Sequence, residues 1–287
     1  MRGSFPAVGY QPDWLDILDS AFMRNAVLGG TIVALAAGVI GYFVVIRQSA
    51  FAAHALAHIG LPGATGAVLL GLSPVLGLGV FCVGGAILIS VLGQRASERD
   101  VVTGTVLAFA TGLGLFFNSL ATKSSSTMTN VLFGNLLAIT GEQLTVFAAL
   151  LAVVSLTIGA VYRPLLYSSI NSAVAQAKGI PVGALSLVFM LLLGLTVTMA
   201  IQAVGTLLLF ALVITPAATA IALTPRPVLA IAISTGLAVG CVWLGLIFSA
   251  MFNAPPSFLI VTIVTVIWLA VWLRSRSATR HQVAPHC

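Results

Sequence analysis

Charge is what this sequence has least of: Asp, Glu, Lys and Arg make up 6% of its 287 residues, against about 25% in soluble domains. With 60% of residues apolar and a mean hydropathy of +1.15, a water-facing globule is excluded, because its surface would have to be apolar. Acidic groups are scarcest. Beyond Asp13, Asp16 and Asp19 there are only Glu98, Asp100 and Glu142, so carboxylate-based acid–base catalysis has little to draw on. The three cysteines, Cys82, Cys241 and Cys287, share no metal-binding or redox spacing. No GxxxxGK[ST] and no HExxH occurs, so neither a nucleotide-hydrolysing loop nor a zincin helix is present. The longest polar stretch, 163–181, is too short for a soluble domain. The mixed, acidic first 23 residues do not form a signal peptide.

What remains is apolar sequence in pieces of membrane-crossing length, about 17–25 residues each. They run over 25–46, 53–72, 74–93, 101–120, 143–162, 182–199, 202–222, 227–251 and 258–273. A transmembrane barrel would instead alternate apolar and polar residues in short strands. The pattern predicts an all-α polytopic transmembrane bundle of eight or nine spans, in contact with membrane lipid. Pro216 interrupts one segment, Pro74 marks a tight junction between two others, and 131–140 is apolar but too short to span. That last piece fits a re-entrant or interfacial element, enclosed by protein rather than lipid. The expected divisions are an N-terminal extramembrane segment 1–23, a transmembrane body 24–273 and a tail 274–287.

The net charge of +6 is explained by topology and implies no nucleic acid. With the N-terminus outside and nine spans, the inner side receives Arg47, Arg95, Arg99, Arg163, Lys178, Arg226, Arg274, Arg276 and Arg280. The outer side receives Arg2, Arg24 and Lys123. That asymmetry follows the positive-inside rule and puts the C-terminus in the cytoplasm.

His54 and His58 are the most informative polar residues within apolar sequence. Their i, i+4 spacing puts both imidazoles on one helical face, and Ala52, Ala53, Ala55 and Ala57 keep the surroundings slim. Neutral imidazole is a good zinc ligand, and ionisable residues inside a membrane segment usually mark pathways. The spacing alone leaves open a metal-handling pair or two buried histidines satisfied by neighbours. Lys123 and Ser124–Thr127 read as a surface turn rather than a catalytic dyad. Residues Leu165–Gly179 form an amphipathic piece with Ala173, Val174, Ala177 and Ile180 on its apolar side. That piece suits either an interfacial linker or a docking helix for a cytosolic partner. His281, His286 and Cys287 end the chain as either a metal-catching or an incidental tail.

Four stretches together resemble the ABC-3 family, the permease subunits of bacterial ABC transporters for zinc and manganese. They are RQSAFAAHALAH from Arg47 to His58, NVLFGNLLAI from Asn130 to Ile139, VGTLLLFALVITPAAT from Val204 to Thr219 and FNAPP from Phe252 to Pro256. The resemblance spans roughly 25–273 and implies a type II importer-like permease in the bacterial cytoplasmic membrane. It implies no enzymatic site in this chain, with ATP bound by two cytosolic partner subunits that dock on about 165–179. It further implies a permease homodimer, an extracytoplasmic metal-binding protein, and Zn2+ as transported substrate rather than resident cofactor. The family places an acidic residue and a histidine one turn apart on the second helix to bind the ion. The histidine matches His58, and His54 stands where the acidic residue is usual. Asn135 likewise stands where the family usually has Asp. Two imidazoles suit zinc better than manganese, which prefers carboxylate oxygen. The competing readings are a permease for iron chelates or cobalamin, a gradient-driven secondary metal transporter, and an intramembrane metalloprotease.

Overall fold

The structure, a computed structural model, describes residues 14–93, 96–120 and 131–282. It is all-α. A short α1 (Trp14–Asp19) precedes α2 (Ala21–Ile46), α3 (Ala50–Leu69), α4 (Pro74–Leu92) and α5 (Ala96–Leu120). After a 3-10 turn at Leu136–Ala138 come α6 (Gly141–Ile170), α7 (Ser172–Ala177), α8 (Val182–Val204), α9 (Thr206–Val213), α10 (Thr215–Leu223), α11 (Pro227–Phe252) and α12 (Pro256–Gln282).

Local chemistry sets several of these boundaries. The junction before α4 is a tight turn: Gly71 takes φ +69°, Ser73 accepts from the Leu76 N–H, and Pro74 opens the helix where its missing donor costs nothing. Thr140 and Gln143 close a reciprocal capping box at the start of α6.

Among the described residues, seven helices are long and apolar enough to cross a membrane: α2, α4, α5 from Arg99, α6, α8, α11 and α12 to Ser275. That count does not reach the expected eight or nine, and two further elements account for the difference. The helix α3 is 20 residues long, but His54, His58, Pro62 and three glycines dilute its apolar character. Its flanks explain why that is tolerated, since most of α3 is buried by protein, with Ala52, Ala53, Ala55, Leu56 and Ala57 near zero exposure. The remaining shortfall is the pair α9–α10, which forms a shorter broken unit.

Small residues let the helices approach closely, the usual device where lipid supplies no hydrophobic drive between helices. α2 and α11 run antiparallel: Ser234 Oγ donates to the Gly38 carbonyl at 3.0 Å, and Trp243 Nε1 donates to Thr31 Oγ1 at 2.8 Å. On α3 and α4, Gly63 and Gly77 face each other backbone to backbone. The bundle therefore has two ends. Arg47, Ser168 and the start of α8 lie at one, as the Arg47–Ser168 bond shows. Pro74, residues 131–140 and the end of α8 lie at the other, where Pro74, Asn135 and Gln202 line one cavity. The helix α3 runs from the first end to the second.

Three expected boundaries move. α8 continues through residue 200 to Val204, and the chain breaks at Gly205, not between 199 and 202. The expected interruption at Pro216 stays in place: α9 ends at Val213, and Pro216 sits in the first turn of α10, where proline is tolerated. α6 runs on through Arg163 and Pro164 to Ile170, so residues 165–170 end a long helix instead of starting an amphipathic one. Past the membrane-length stretch, α12 likewise continues into the expected tail as far as Gln282. Arg2, Arg95, Lys123, Ser124–Thr127, His286 and Cys287 fall outside the described residues.

Candidate metal path

His54 and His58 lie on one face of α3, as the spacing predicts. Their ring centroids are 4.8 Å apart with planes inclined at 72°, and Phe210 of α9 packs edge-on to His54 at 6.2 Å. Both rings are half-buried, and no hydrogen bond involving either is found among the described residues. The same face carries Phe51, which is exposed, as is Phe210. No cluster of three or more His, Cys, Asp or Glu capable of holding a metal occurs among the described residues. Among the described residues, the imidazole pair therefore has no carboxylate or thiolate beside it to complete a cluster of three. Cys82 is buried and donates to the Leu56 carbonyl at 3.4 Å, which uses it in helix packing.

Phe210 was not singled out from sequence, and nothing in its own neighbourhood of leucines flags it. It reaches His54 because of the break before α9. Gly205 takes φ +82° and Gly134 takes φ +69°, a region that only glycine enters without strain. The two residues also touch through their backbones, so a Cβ on either would collide with the other's main chain. The Asn135 N–H donates to the Gln202 carbonyl at 3.3 Å, and Asn25 Nδ2 donates to the Ile139 carbonyl at 3.2 Å. Residues 131–140 are thus plugged against the α8–α9 break by protein, as expected for a piece too short to span.

Beside that plug lies a cavity of about 310 Å3 lined by Asn135, Gln143, Gln202 and Pro74 among others. Gln202 Nε2 donates to the Thr198 carbonyl, while its Oε1 is buried without a partner. A lone glutamine in an apolar run was the available sequence signal for this spot.

At the opposite end, the Asn171 side chain accepts from the Val174 N–H and starts α7. Only Ala175 of this short helix is buried. Ala173, Val174 and Ala177, the expected apolar side, point away from the bundle. Lys178 Nζ donates to the Tyr167 hydroxyl at 2.9 Å, a bond that raises the Lys178 pKa above the ordinary lysine value.

Residues 19–275 match the model of the ABC 3 transport family. The manganese transport system membrane protein MntC of Listeria innocua serovar 6a is 32% identical over 260 residues, covering 90% of this chain and 92% of that protein. The manganese import system permease protein ScaB of Streptococcus gordonii is 31% identical over 252 residues, 88% of this chain and 90% of that one. Among solved structures, PsaBC from Streptococcus pneumoniae in complex with Fab superposes with a TM-score of 0.80 at 30% identity, covering 91% of this chain and 94% of that one. By its sequence, its all-helical bundle and these relatives, the chain belongs to the ABC 3 transport family and is a non-catalytic membrane permease subunit of an ATP-driven transporter.

Proposed function

We propose that this permease imports a bare divalent metal ion, zinc foremost, along a path ligated by His54 and His58. The chain is a permease subunit of an ABC-type importer of manganese or zinc; the finer assignment to zinc rests on ligand chemistry. One observation carries it: two imidazoles sit 4.8 Å apart, with no hydrogen bond to either and no carboxylate completing a cluster among the described residues. A zinc ion bonded at about 2.0–2.1 Å to one nitrogen of each ring, at a tetrahedral angle, separates the centroids by about 5 Å. The observed spacing fits that. Four and eight residues past Ala50, the first residue of α3, the rings lie about 6 and 12 Å along the helix, the second approaching the middle of a hydrocarbon core about 30 Å thick. An imidazole left facing lipid there would lose its hydrogen bonds. The face of Phe51, His54, His58 and Phe210 is therefore assigned to the permease homodimer, where a second copy covers it and offers two more imidazoles.

In this reading α3 and the broken α9–α10 unit also cross the bilayer, giving nine passes over residues 24–273. The basic residues Arg47, Arg99, Arg163, Lys178, Arg226 and Arg274 then share the cytoplasmic end, and Arg24 lies outside. The exposed α7 receives the ATPase subunits, and closure of those subunits on ATP tilts the bundles between outward- and inward-open states. An extracytoplasmic metal-binding protein delivers the ion.

Manganese is the second reading, favoured by the substrate named for MntC and ScaB. Metal-stimulated ATP hydrolysis by the complete transporter in proteoliposomes, with its delivery protein loaded in turn with zinc, manganese or a ferric chelate, separates these. The expected order is zinc above manganese, with no response to chelate. A response to chelate alone would overturn the bare-ion reading.

A further inference from the structure

Arg47 and Arg99 crowd together at the α7 end of the bundle. The Arg47 guanidinium donates to Ser168 Oγ and Ser169 Oγ, both at 3.3 Å, and lies over the Phe189 ring, 5.0 Å from its centroid. Arg99 donates to the Arg47 backbone carbonyl at 3.0 Å. Burial, with Arg99 adding to it, pushes the Arg47 pKa down to about 10; the group still carries its charge at neutral pH. These hydrogen bonds satisfy donors but cancel no charge.

Arg47 and Arg99 both line a cavity of about 560 Å3, together with Ser90, Ser172, Gln176 and Ser186. Its floor includes Val182, Gly183 and Ala184, the first turn of the 23-residue α8. Backbone N–H groups of a first turn lack helical acceptors, and the positive end of the helix dipole sits there; the Val182 N–H donates to the Ile180 carbonyl at 2.8 Å, which leaves those of Gly183 and Ala184. None of the described lining residues is acidic. Asp100 follows Arg99 in the chain but is exposed and does not line the cavity. The site thus gathers two like charges, hydroxyl and amide donors and a helix N-terminus, with no internal anion among the described residues.

We infer that this cavity binds a phosphate group. Its donor set matches a tetrahedral oxyanion, for which guanidinium forks and helix N-termini are the common protein ligands. Its depth matches as well: α2 and α4 finish and α8 starts at this end, so a bilayer crossed by these helices would set its headgroups at this level, and basic pockets between helix ends hold anionic headgroups. The phosphate is supplied by an anionic phospholipid or by free phosphate. Because Gln176 and Ser172 belong to α7 or its edge, an occupied site ties the exposed α7 to the ends of α2 and α8.

The test uses the complete transporter, permease with its ATPase subunits, in nanodiscs. One arm compares phosphatidylcholine alone with phosphatidylcholine plus phosphatidylglycerol. The other adds inorganic phosphate to the phosphatidylcholine discs. Thermal melting and native mass spectrometry read stabilisation and retained ligand. A gain confined to the first arm identifies the lipid, and a gain in the second identifies free phosphate. Replacing Arg99 in Arg99→Gln should weaken retention roughly tenfold or more, as expected for loss of a charge-assisted bond. Ser186→Glu supplies an internal carboxylate, so it should abolish retention while melting no lower than the unmodified complex without phosphate. No gain in either arm overturns the proposal, as does a gain that survives both substitutions. Crosslinks that seat an acidic residue of the ATPase subunit in the cavity would also overturn it, in favour of a protein carboxylate.

Discussion

α12 and α3 are both long enough to cross a bilayer, yet they divide the labour of the bundle. Only 11% of α12's most apolar window is buried within the protein, and its surface of Phe258, Val266, Trp268 and Leu269 faces outward. α3 is buried along most of its length and carries two histidines, a proline and three glycines. The helix that meets lipid must be apolar all round, while the one enclosed by protein is free to hold polar groups. Apolar length therefore reports lipid contact. The proposed ion path runs along the long helix that falls short of membrane-crossing apolarity.

The largest effect on that comparison should come from the plug that lets α9 approach α3. Gly205→Leu must adopt a positive φ, at roughly 1–3 kcal/mol for the conformation alone, and must also displace the Gly134 backbone. The expected outcome is loss of folded permease, read by size-exclusion profile and melting. A well-folded, fully active Gly205→Leu variant would show that the α8–α9 break does not organise the α3 face. Next is coupling. Ala177→Arg, on exposed α7, should abolish metal-stimulated ATP hydrolysis while leaving the permease dimer intact; crosslinks placing α7 outside the cell would contradict this and the orientation together.

Acidity should act on α3 alone. A protonated imidazole cannot ligate metal, so transport should fall as the medium around the site becomes acidic, with the complex still assembled. A flat acidic limb in proteoliposome uptake would mean the histidines do not bind in the neutral form. The smallest effect is expected from His54→Asp, which restores the usual acidic residue. It should keep activity within about tenfold and move preference toward manganese, whose oxygen preference favours carboxylate. A variant with unchanged zinc-to-manganese ratio would detach residue 54 from selectivity.

The all-helical class and the shared face of His54 and His58 were legible because both follow from helical period and composition. So was the interruption at Pro216, which opens α10 just after α9 ends at Val213. The break before α9 was not, because it falls at Gly205, whose need for a positive φ comes from a contact with Gly134 seventy-one residues away in sequence. Such a contact leaves no mark in local composition. Phe210 beside His54 was hidden for the same reason. Arg163 marked the end of a span by its charge, although α6 continues past it, since a helix leaving a membrane has no reason to stop at the first polar residue. Arg47 read as a topology marker and as the start of a family stretch; its packing against Ser168, Ser169 and Phe189 is wholly tertiary.

The central claim is that the imidazole pair of α3 ligates the transported ion. It is tested most directly by uptake of radiolabelled zinc and manganese into proteoliposomes holding the complete transporter, with His54 and His58 both changed to Ala. Assembly and basal ATP hydrolysis are checked in the same preparation. The account predicts loss of zinc uptake in an intact complex, with His58→Ala alone as severe and His54→Ala sharply weakened. Zinc uptake by the double variant at the unmodified rate would contradict it and make the two histidines packing residues.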